Sequence, residues 1–333
     1  MESSAGAFDA ADPALAQDVK LGLEDVEARL REVAVSAHPM LTETASHLAQ
    51  AGGKRFRPLL ALLAAQLGDP SAPGVLDAAV VVELTHLASL YHDDVMDEAD
   101  VRRGAPSANT RWTNTIAILT GDYLFARASD LTAGLGTEAT HLQSRTFARL
   151  VEGQIAETAG PAEGQDAVEH HLGVLADKTG ALIATSARLG ALMAGASAAA
   201  VDTVTRFGEV IGLAFQLSDD LIDVRSETGE SGKTPGTDLR EGIRTLPVLL
   251  VLASDDRSPD SERLRDLLAG DLDDDERLAE ALRLLRAHPA MDDAAAHLRR
   301  CADEARAIVG ELEPGPARDA LASLTDFVLA RSG

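Results

Sequence analysis

Two short acidic motifs carry most of the chemistry this chain could perform. His92-Asp93-Asp94-Val95-Met96-Asp97 spaces its carboxylates so that a helix would gather Asp93, Asp94 and Asp97 toward one face. Ser218-Asp219-Asp220-Leu221-Ile222-Asp223 repeats the same spacing about 125 residues later. Like charges this close repel, and folding alone has no use for the arrangement twice. Hard carboxylate oxygens suit Mg²⁺, which keeps several waters and commonly bridges to phosphate oxygens. One Asp-Asp-x-x-Asp is most often a solvated helix turn. Two of them, each ending an apolar stretch, point to a pair of clusters that would grip a diphosphate through bridging metal ions.

An anionic substrate would need local cations in a chain whose net charge is −24, from 30 Lys+Arg against 54 Asp+Glu. There are four lysines, and Lys54, Lys178 and Lys233 fall in motif-like places. Gly52-Gly53-Lys54-Arg55-Phe56-Arg57-Pro58 sets three positive charges behind a glycine pair, a shape that could wrap a phosphate. Arg102-Arg103-Gly104 follows directly on the first acidic cluster. The acidic balance excludes a basic nucleic-acid face. A single cysteine, Cys301, forbids an internal disulfide and fits a reducing compartment. The first residues show neither a basic segment nor an apolar one, and no run of about 18 uncharged apolar residues follows. These features lead to the expectation of a soluble, cytoplasmic protein without a membrane anchor.

Helices must position these residues. Aromatics are 3% of the chain, β-branched runs are short, and Ala and Leu recur at helical spacing, so an all-α fold is expected. The pattern predicts helices over about Val75–Glu98, His141–Thr158, Val168–Ala194, Val201–Val224 and Thr245–Ala253. The first and fourth are apolar around most of their circumference until their acidic ends, which places them centrally. The stretches after these two helices, Val101–Ser107 and Ser226–Thr237, read as loops able to cover a cavity. Ser254 to Glu276 reads as a solvated connection with an acidic helix start. No internal repeat or splitting linker is visible, so residues 1–333 are expected to form one domain, with 1–15 a loosely ordered tail.

Taken together, these motifs resemble the trans-isoprenyl diphosphate synthases, or polyprenyl synthetases. The likeness runs in order through Gly52-Gly-Lys-Arg-Phe-Arg-Pro, His92-Asp-Asp-Val-Met-Asp, Arg102-Arg-Gly, Gly121-Asp-Tyr-Leu, Lys178-Thr179, Phe215-Gln-Leu-Ser-Asp-Asp-Leu-Ile-Asp, Gly232-Lys-Thr-Pro-Gly-Thr-Asp-Leu and Arg244-Thr-Leu-Pro. The resemblance implies the isoprenoid synthase fold, antiparallel helices around a deep central cavity, normally in a homodimer. It implies that an allylic diphosphate ionises, that the double bond of isopentenyl diphosphate attacks the cation, and that proton loss leaves a trans product one isoprene longer. By the same resemblance three Mg²⁺ are expected, two on Asp93, Asp94 and Asp97 and a third on Asp219 with Asp220 and Asp223. Arg102, Lys178, Thr179, Gln216 and Lys233 would hold the allylic diphosphate. Lys54, Arg57, His86 and Arg103 would hold isopentenyl diphosphate. His86 is either a satisfied core histidine or a ligand group, and its place about two turns before Asp93 favours the second. One departure stands out: many relatives carry a lysine where this chain has Ile243, so a phosphate contact is either missing or supplied by Arg244.

A helical turn rises about 5.4 Å, close to one isoprene unit, so positions stepping back from Asp93 bear on product length. Ser89, Ala88 and Thr85 occupy them and none is aromatic. The expectation is an open tunnel and a long-chain polyprenyl product; Leu84, Leu87 or a neighbouring helix closing it at geranylgeranyl or farnesyl length is the alternative. A class I terpene cyclase would not need the Gly-Gly-Lys-Arg-Phe-Arg-Pro site, and a non-catalytic regulatory subunit would not need two complete acidic clusters.

Overall fold

In the computed structural model, which describes residues 12–226 and 235–331, the expected all-α architecture is observed. The helices are α1 (Pro13–Val33), α2 (Pro39–Gln50), α3 (Phe56–Ala65), α4 (Gly74–Met96), α5 (Ala108–Arg111), α6 (Asn114–Leu135), α7 (Thr137–Ala159), α8 (Ala167–Leu175) and α9 (Ala181–Met193). They continue with α10 (Ala198–Arg225), α11 (Thr237–Arg240), α12 (Leu246–Ala253), α13 (Pro259–Leu268), α14 (Asp275–Ala287), α15 (Ala290–Val309) and α16 (Pro316–Ala330). A hairpin of two-residue strands, β1 (Val101–Arg102) and β2 (Ala105–Pro106), follows α4. Two compact units share this chain, one built from 12–150, Ala181–Gly208 and Ile308–Ser323, the other from Val151–Gly180, Glu209–Ala307 and 324–331.

The first unit is organised around α4. Its sequence is apolar on every face, and Val75, Ala78 to Thr85, Leu87, Ala88 and Tyr91 are all buried. The helix is long and apolar enough to cross a membrane, yet 67% of its most apolar window is buried within the fold. Helices α3, α6 and α9 pack on it, and Ala78, Val81 and Val82 join Ala139 of α7 and Leu182 and Leu189 of α9 in one core cluster. Tyr91 ties α4 to α2, its hydroxyl donating to the Thr44 carbonyl and accepting from the Leu48 amide at 3.2 Å.

The second unit contains the longer part of α10, α11 to α14, most of α15 and the end of α16. Ser218 donates to the Val328 carbonyl at 3.0 Å, fixing α16 on α10. Arg286 of α14 caps the end of α10 by donating to the carbonyls of Val224 at 2.6 Å and Ser226 at 2.9 Å.

Three expectations change. The helix predicted over Val168–Ala194 is interrupted by a π-helical turn at Ala176–Gly180. There the backbone of α7 comes so close that a Cβ on Gly153 would lie 2.9 Å from the Lys178 amide. The charged stretch Ser254–Glu276 contains α13, capped by Ser258 and anchored through buried Leu264 and Leu267. Its charges lie on the solvent side of an amphipathic helix. Of the tail expected over 1–15, residues 1–11 lie outside the described residues, whereas α1 begins at Pro13 with the Asp12 carboxylate accepting from the Ala14 and Leu15 amides.

Candidate active site

The first acidic cluster ends α4, with Asp97 as its C-cap residue. A helix C-terminus already carries partial negative charge, so three carboxylates there create a strong local demand for cations. The three do not lie equally on one face. Asp94 is fully buried, Asp93 is half-buried and Asp97 is exposed. The hairpin explains why Asp94 can turn inward. Arg103 and Gly104 at its tip both have positive φ, 54° and 75°, as a two-residue type I′ turn requires. The turn brings Arg102 back to α4, where its Nε donates to Asp94 Oδ1 at 2.5 Å and Nη2 lies 3.9 Å from Asp97. Burial holds the Asp94 carboxyl above the ordinary carboxylate range, with Arg102 pulling the other way.

The same turn directs Arg103 to the Gly52-Gly53 loop, where it donates to the carbonyls of Gly52 and Leu48. Gly53 has a φ of 146°, and a Cβ there would sit 2.9 Å from the Arg103 guanidinium, so the loop needs glycine twice over. Arg55, which looked like a third phosphate-facing cation, has another task. It is 7% exposed and donates to Glu27 at 2.5 Å, Glu83 at 2.7 Å and the Ala49 carbonyl at 2.7 Å. Arg57 stays available: its Nε is buried with no hydrogen-bond partner, and burial brings the guanidinium down to about 10, still charged at neutral pH. His86 lies among these groups. Burial first, and then Arg57, Arg103, Arg55 and Arg102, push its imidazole well below the ordinary histidine range. A neutral histidine among arginines is an environment that suits an anion. Lys54 is exposed.

The second cluster lies in the other unit, and each of its carboxylates is held differently. Asp219 accepts from Arg331 at 2.5 Å, and that guanidinium stacks 4.6 Å from the Phe215 ring centre. Asp220 Oδ1 accepts from Gln216 Nε2 at 3.2 Å. Asp223 uses both oxygens on the backbone, accepting from the Thr237 and Asp238 amides at 3.2 Å each. Lys178 and Thr179 sit in the π-turn; Lys178 pairs with Glu157, and the Thr179 hydroxyl donates to Gln216 Oε1 at 3.4 Å. Lys233 lies outside the described residues. Ile243 is 43% exposed, and neighbouring Arg244 is exposed as well.

These donors suit a divalent ion. Among the described residues, Asp94 Oδ2 and Asp220 Oδ2 are buried oxygens with no hydrogen-bond partner. Each cluster thus keeps one desolvated hard oxygen unclaimed, which Mg²⁺ would satisfy. Of the positions bearing on product length, Thr85 and Ala88 are buried and Ser89 is half-buried. Thr85 donates to the Val81 carbonyl at 2.8 Å and accepts from Gln143 Nε2 at 2.5 Å, so a polar side chain of α7 covers it.

The polyprenyl synthetase family model matches residues 38–285, a span that carries both acidic clusters and every basic motif. The chain belongs to the polyprenyl synthetase family. It is a prenyl diphosphate synthase. It is 49% identical over 326 residues to the nonaprenyl diphosphate synthase of Mycobacterium tuberculosis, covering 98% of this chain and 97% of the other. Among solved structures it resembles the geranylgeranyl pyrophosphate synthase of Corynebacterium glutamicum, complexed with calcium and isoprenyl diphosphate. The identity there is 44% and the TM-score 0.87, with 97% of this chain and 98% of that one covered. It also resembles a decaprenyl diphosphate synthase from Rhodobacter capsulatus at 33% identity and a TM-score of 0.86, covering 96% and 99%.

Sequence reasoning missed three contributors. Arg331 stands near the C-terminus, far from any motif. Glu83 looked like one polar residue in an apolar helix, which is itself the signal: at 2% exposure it must have a cationic partner. His171 precedes Lys178 by seven residues, two turns on one helical face, a spacing that could have drawn attention to it.

Proposed function

We propose that this synthase condenses isopentenyl diphosphate with an allylic prenyl diphosphate and extends it to a long-chain all-trans polyprenyl diphosphate. The observation that carries the reading is one unclaimed buried oxygen on the acidic helix end of each unit; within the first unit, a neutral His86 among arginines supports it. Asp93, Asp94 and Asp97 would hold two Mg²⁺, and Asp219, Asp220 and Asp223 a third. Bound Mg²⁺ supplies the Lewis acidity that a departing diphosphate needs. Arg102, Lys178, Thr179, Gln216 and Lys233 orient the allylic diphosphate. Lys54, Arg57, His86 and Arg103 bind isopentenyl diphosphate, with the unpartnered Arg57 Nε as a ready donor. Neutral His86 accepts or donates one hydrogen bond without adding charge.

The long-chain product is supported by the likeness to a nonaprenyl synthase and by the absence of an aromatic ring at Thr85, Ala88 and Ser89. The likeness to a geranylgeranyl synthase, together with the Gln143 cover on Thr85, favours the shorter product as the second reading. We read the enzyme as cytoplasmic and homodimeric. The second point draws on exposed apolar residues at Ile118 and Leu119 on α6 and at Phe147, Val151 and Ile155, one turn apart, on α7.

The test incubates purified protein and Mg²⁺ with isopentenyl diphosphate and dimethylallyl, geranyl, farnesyl or geranylgeranyl diphosphate, and reads chain length by mass spectrometry. A ladder reaching hexaprenyl or beyond is expected. Accumulation at geranylgeranyl rejects the long-chain reading, and no elongation with any primer rejects the condensation. Asp93→Ala should abolish metal-dependent turnover while the protein stays folded.

A further inference from the structure

Helix α8 carries two adjacent histidines that point to different neighbours. His170 Nε2 bonds the Ala156 carbonyl at 3.1 Å and thereby pins α8 to α7. His171 turns toward α10, its side chain only 14% exposed, and its Nε2 is buried with no hydrogen-bond partner. It stops 3.6 Å from Asp220 Oδ2, which is likewise buried and without a hydrogen-bond partner.

Two features make this more than an accident of packing. A buried polar atom left without a partner is costly, so a donor and an acceptor that face each other 3.6 Å apart call for a bond between them. The gap also closes a ring. The Thr179 hydroxyl donates to Gln216 Oε1, Gln216 Nε2 donates to Asp220 Oδ1, and His171 stands at Asp220 Oδ2. Thr179 and His171 belong to one continuous stretch of chain, and Gln216 and Asp220 are one turn apart on α10. The ring therefore lacks a single bond, which a movement of about 0.5 Å would make.

Building on the metal reading above, we infer that His171 is a positioning residue for Asp220: its Nε2–H donates to one lone pair of Oδ2 and fixes the carboxylate so that the oxygen's other lone pair meets a divalent ion. The neighbouring carboxylates have their own supports, Arg331 for Asp219 and two backbone amides for Asp223. Without His171, only Gln216 steers Asp220, from one side. Groups that orient metal-binding side chains typically change metal affinity by about 10–100-fold when removed.

The experiment titrates Mn²⁺ into the full-length protein with inorganic diphosphate present, and follows the loss of the free-ion signal by electron paramagnetic resonance. His171→Met and His171→Gln are close in size, but only the glutamine can donate. H171M should raise the half-saturating Mn²⁺ concentration of one site at least about tenfold, and H171Q should restore most of it. Melting temperatures without divalent ions should be the same for the two variants, which separates positioning from packing. Asp220→Ala tells the two levels apart. Metal uptake lost in D220A but kept in H171M overturns the role of His171 alone, as does equal weakening in H171M and H171Q. Uptake untouched by D220A overturns the metal reading of the cluster and this role with it.

Discussion

Glu83→Gln isolates the counter-charge beside the proposed anion site. Glu83 is 2% exposed, accepts from Arg55 at 2.7 Å, and its charge is also felt by Arg57 and Arg103. Glutamine keeps the shape and an acceptor oxygen but removes the charge, leaving three guanidinium groups with Glu27 acting on Arg55 and Arg103 and Asp93 on Arg57. Breaking a buried pair from one side costs about 3–5 kcal/mol, and Arg55's remaining bond to the half-exposed Glu27 favours the lower end. Unfolding entropy is about 2.1 cal/mol/K per residue, so over 333 residues each kcal/mol moves the midpoint by about 1.4 °C. The expected loss is therefore about 4 °C in Tm.

Diphosphate supplies the second arm of this assay. If the site binds anions, added inorganic diphosphate should stabilise E83Q more than the unaltered protein, because it brings back the negative charge that the variant lacks. The difference in Tm between the two proteins should then shrink. A variant melting within about 1 °C of the parent without ligand would refute the counter-charge role. A difference that diphosphate leaves unchanged would refute the anion site.

His86 makes the stability of the fold pH-dependent in a defined direction. Its folded-state value is depressed, so the folded protein binds fewer protons than the unfolded chain; this stability is present above the ordinary histidine value of about 6.5 and is lost as pH falls below it. In His86→Gln, the fall in denaturation midpoint between about pH 6.5 and 5 should be smaller than in the parent, and equal slopes would contradict the assignment. Gly121→Ala would place a methyl group 2.5 Å from His92 Cδ2 and closer still to Nε2, where the ring contacts the Ile118 carbonyl at 3.1 Å. It should lower turnover through displaced Asp93, whereas Gly134→Ala on the same helix meets nothing within 4 Å and should gain about 0.5–1 kcal/mol of stability in chemical denaturation. Ser89→Phe is a cleaner probe of product length than Ala88→Phe, because Ala88 is fully buried and a ring there would overpack the core. S89F should shift the mass-spectrometric product ladder to shorter chains, and an unchanged ladder would place the floor elsewhere.

What could be read from the sequence follows from how local each feature is. The apolar circumference of α4 and the acidic end of α10 depend on nothing outside their own helices, so both appear where periodicity puts them. The π-turn at Ala176–Gly180 does not, since it arises where α7 passes close at Gly153, some twenty residues earlier. The basic motif before α3 shows the limit most clearly. Lys54, Arg55 and Arg57 look equivalent in the sequence, yet the buried carboxylate of Glu83 removes Arg55 from solvent and leaves Arg57 with a free Nε–H.

The acidic motifs follow the same logic one level deeper. Spacing identifies which carboxylates share a helix end, but their chemistry depends on which oxygens other groups have already claimed. Arg102 takes Asp94 Oδ1 only because Arg103 and Gly104 accept positive φ and reverse the chain; Asp223 gives both its oxygens to the amides of Thr237 and Asp238. What remains is one unclaimed buried oxygen in each cluster, on the second aspartate of each motif. Two motifs with equal spacing and quite different partners arrive at the same residual valence. That coincidence is expected if selection acts on the oxygen left for a metal ion rather than on the contacts that support it.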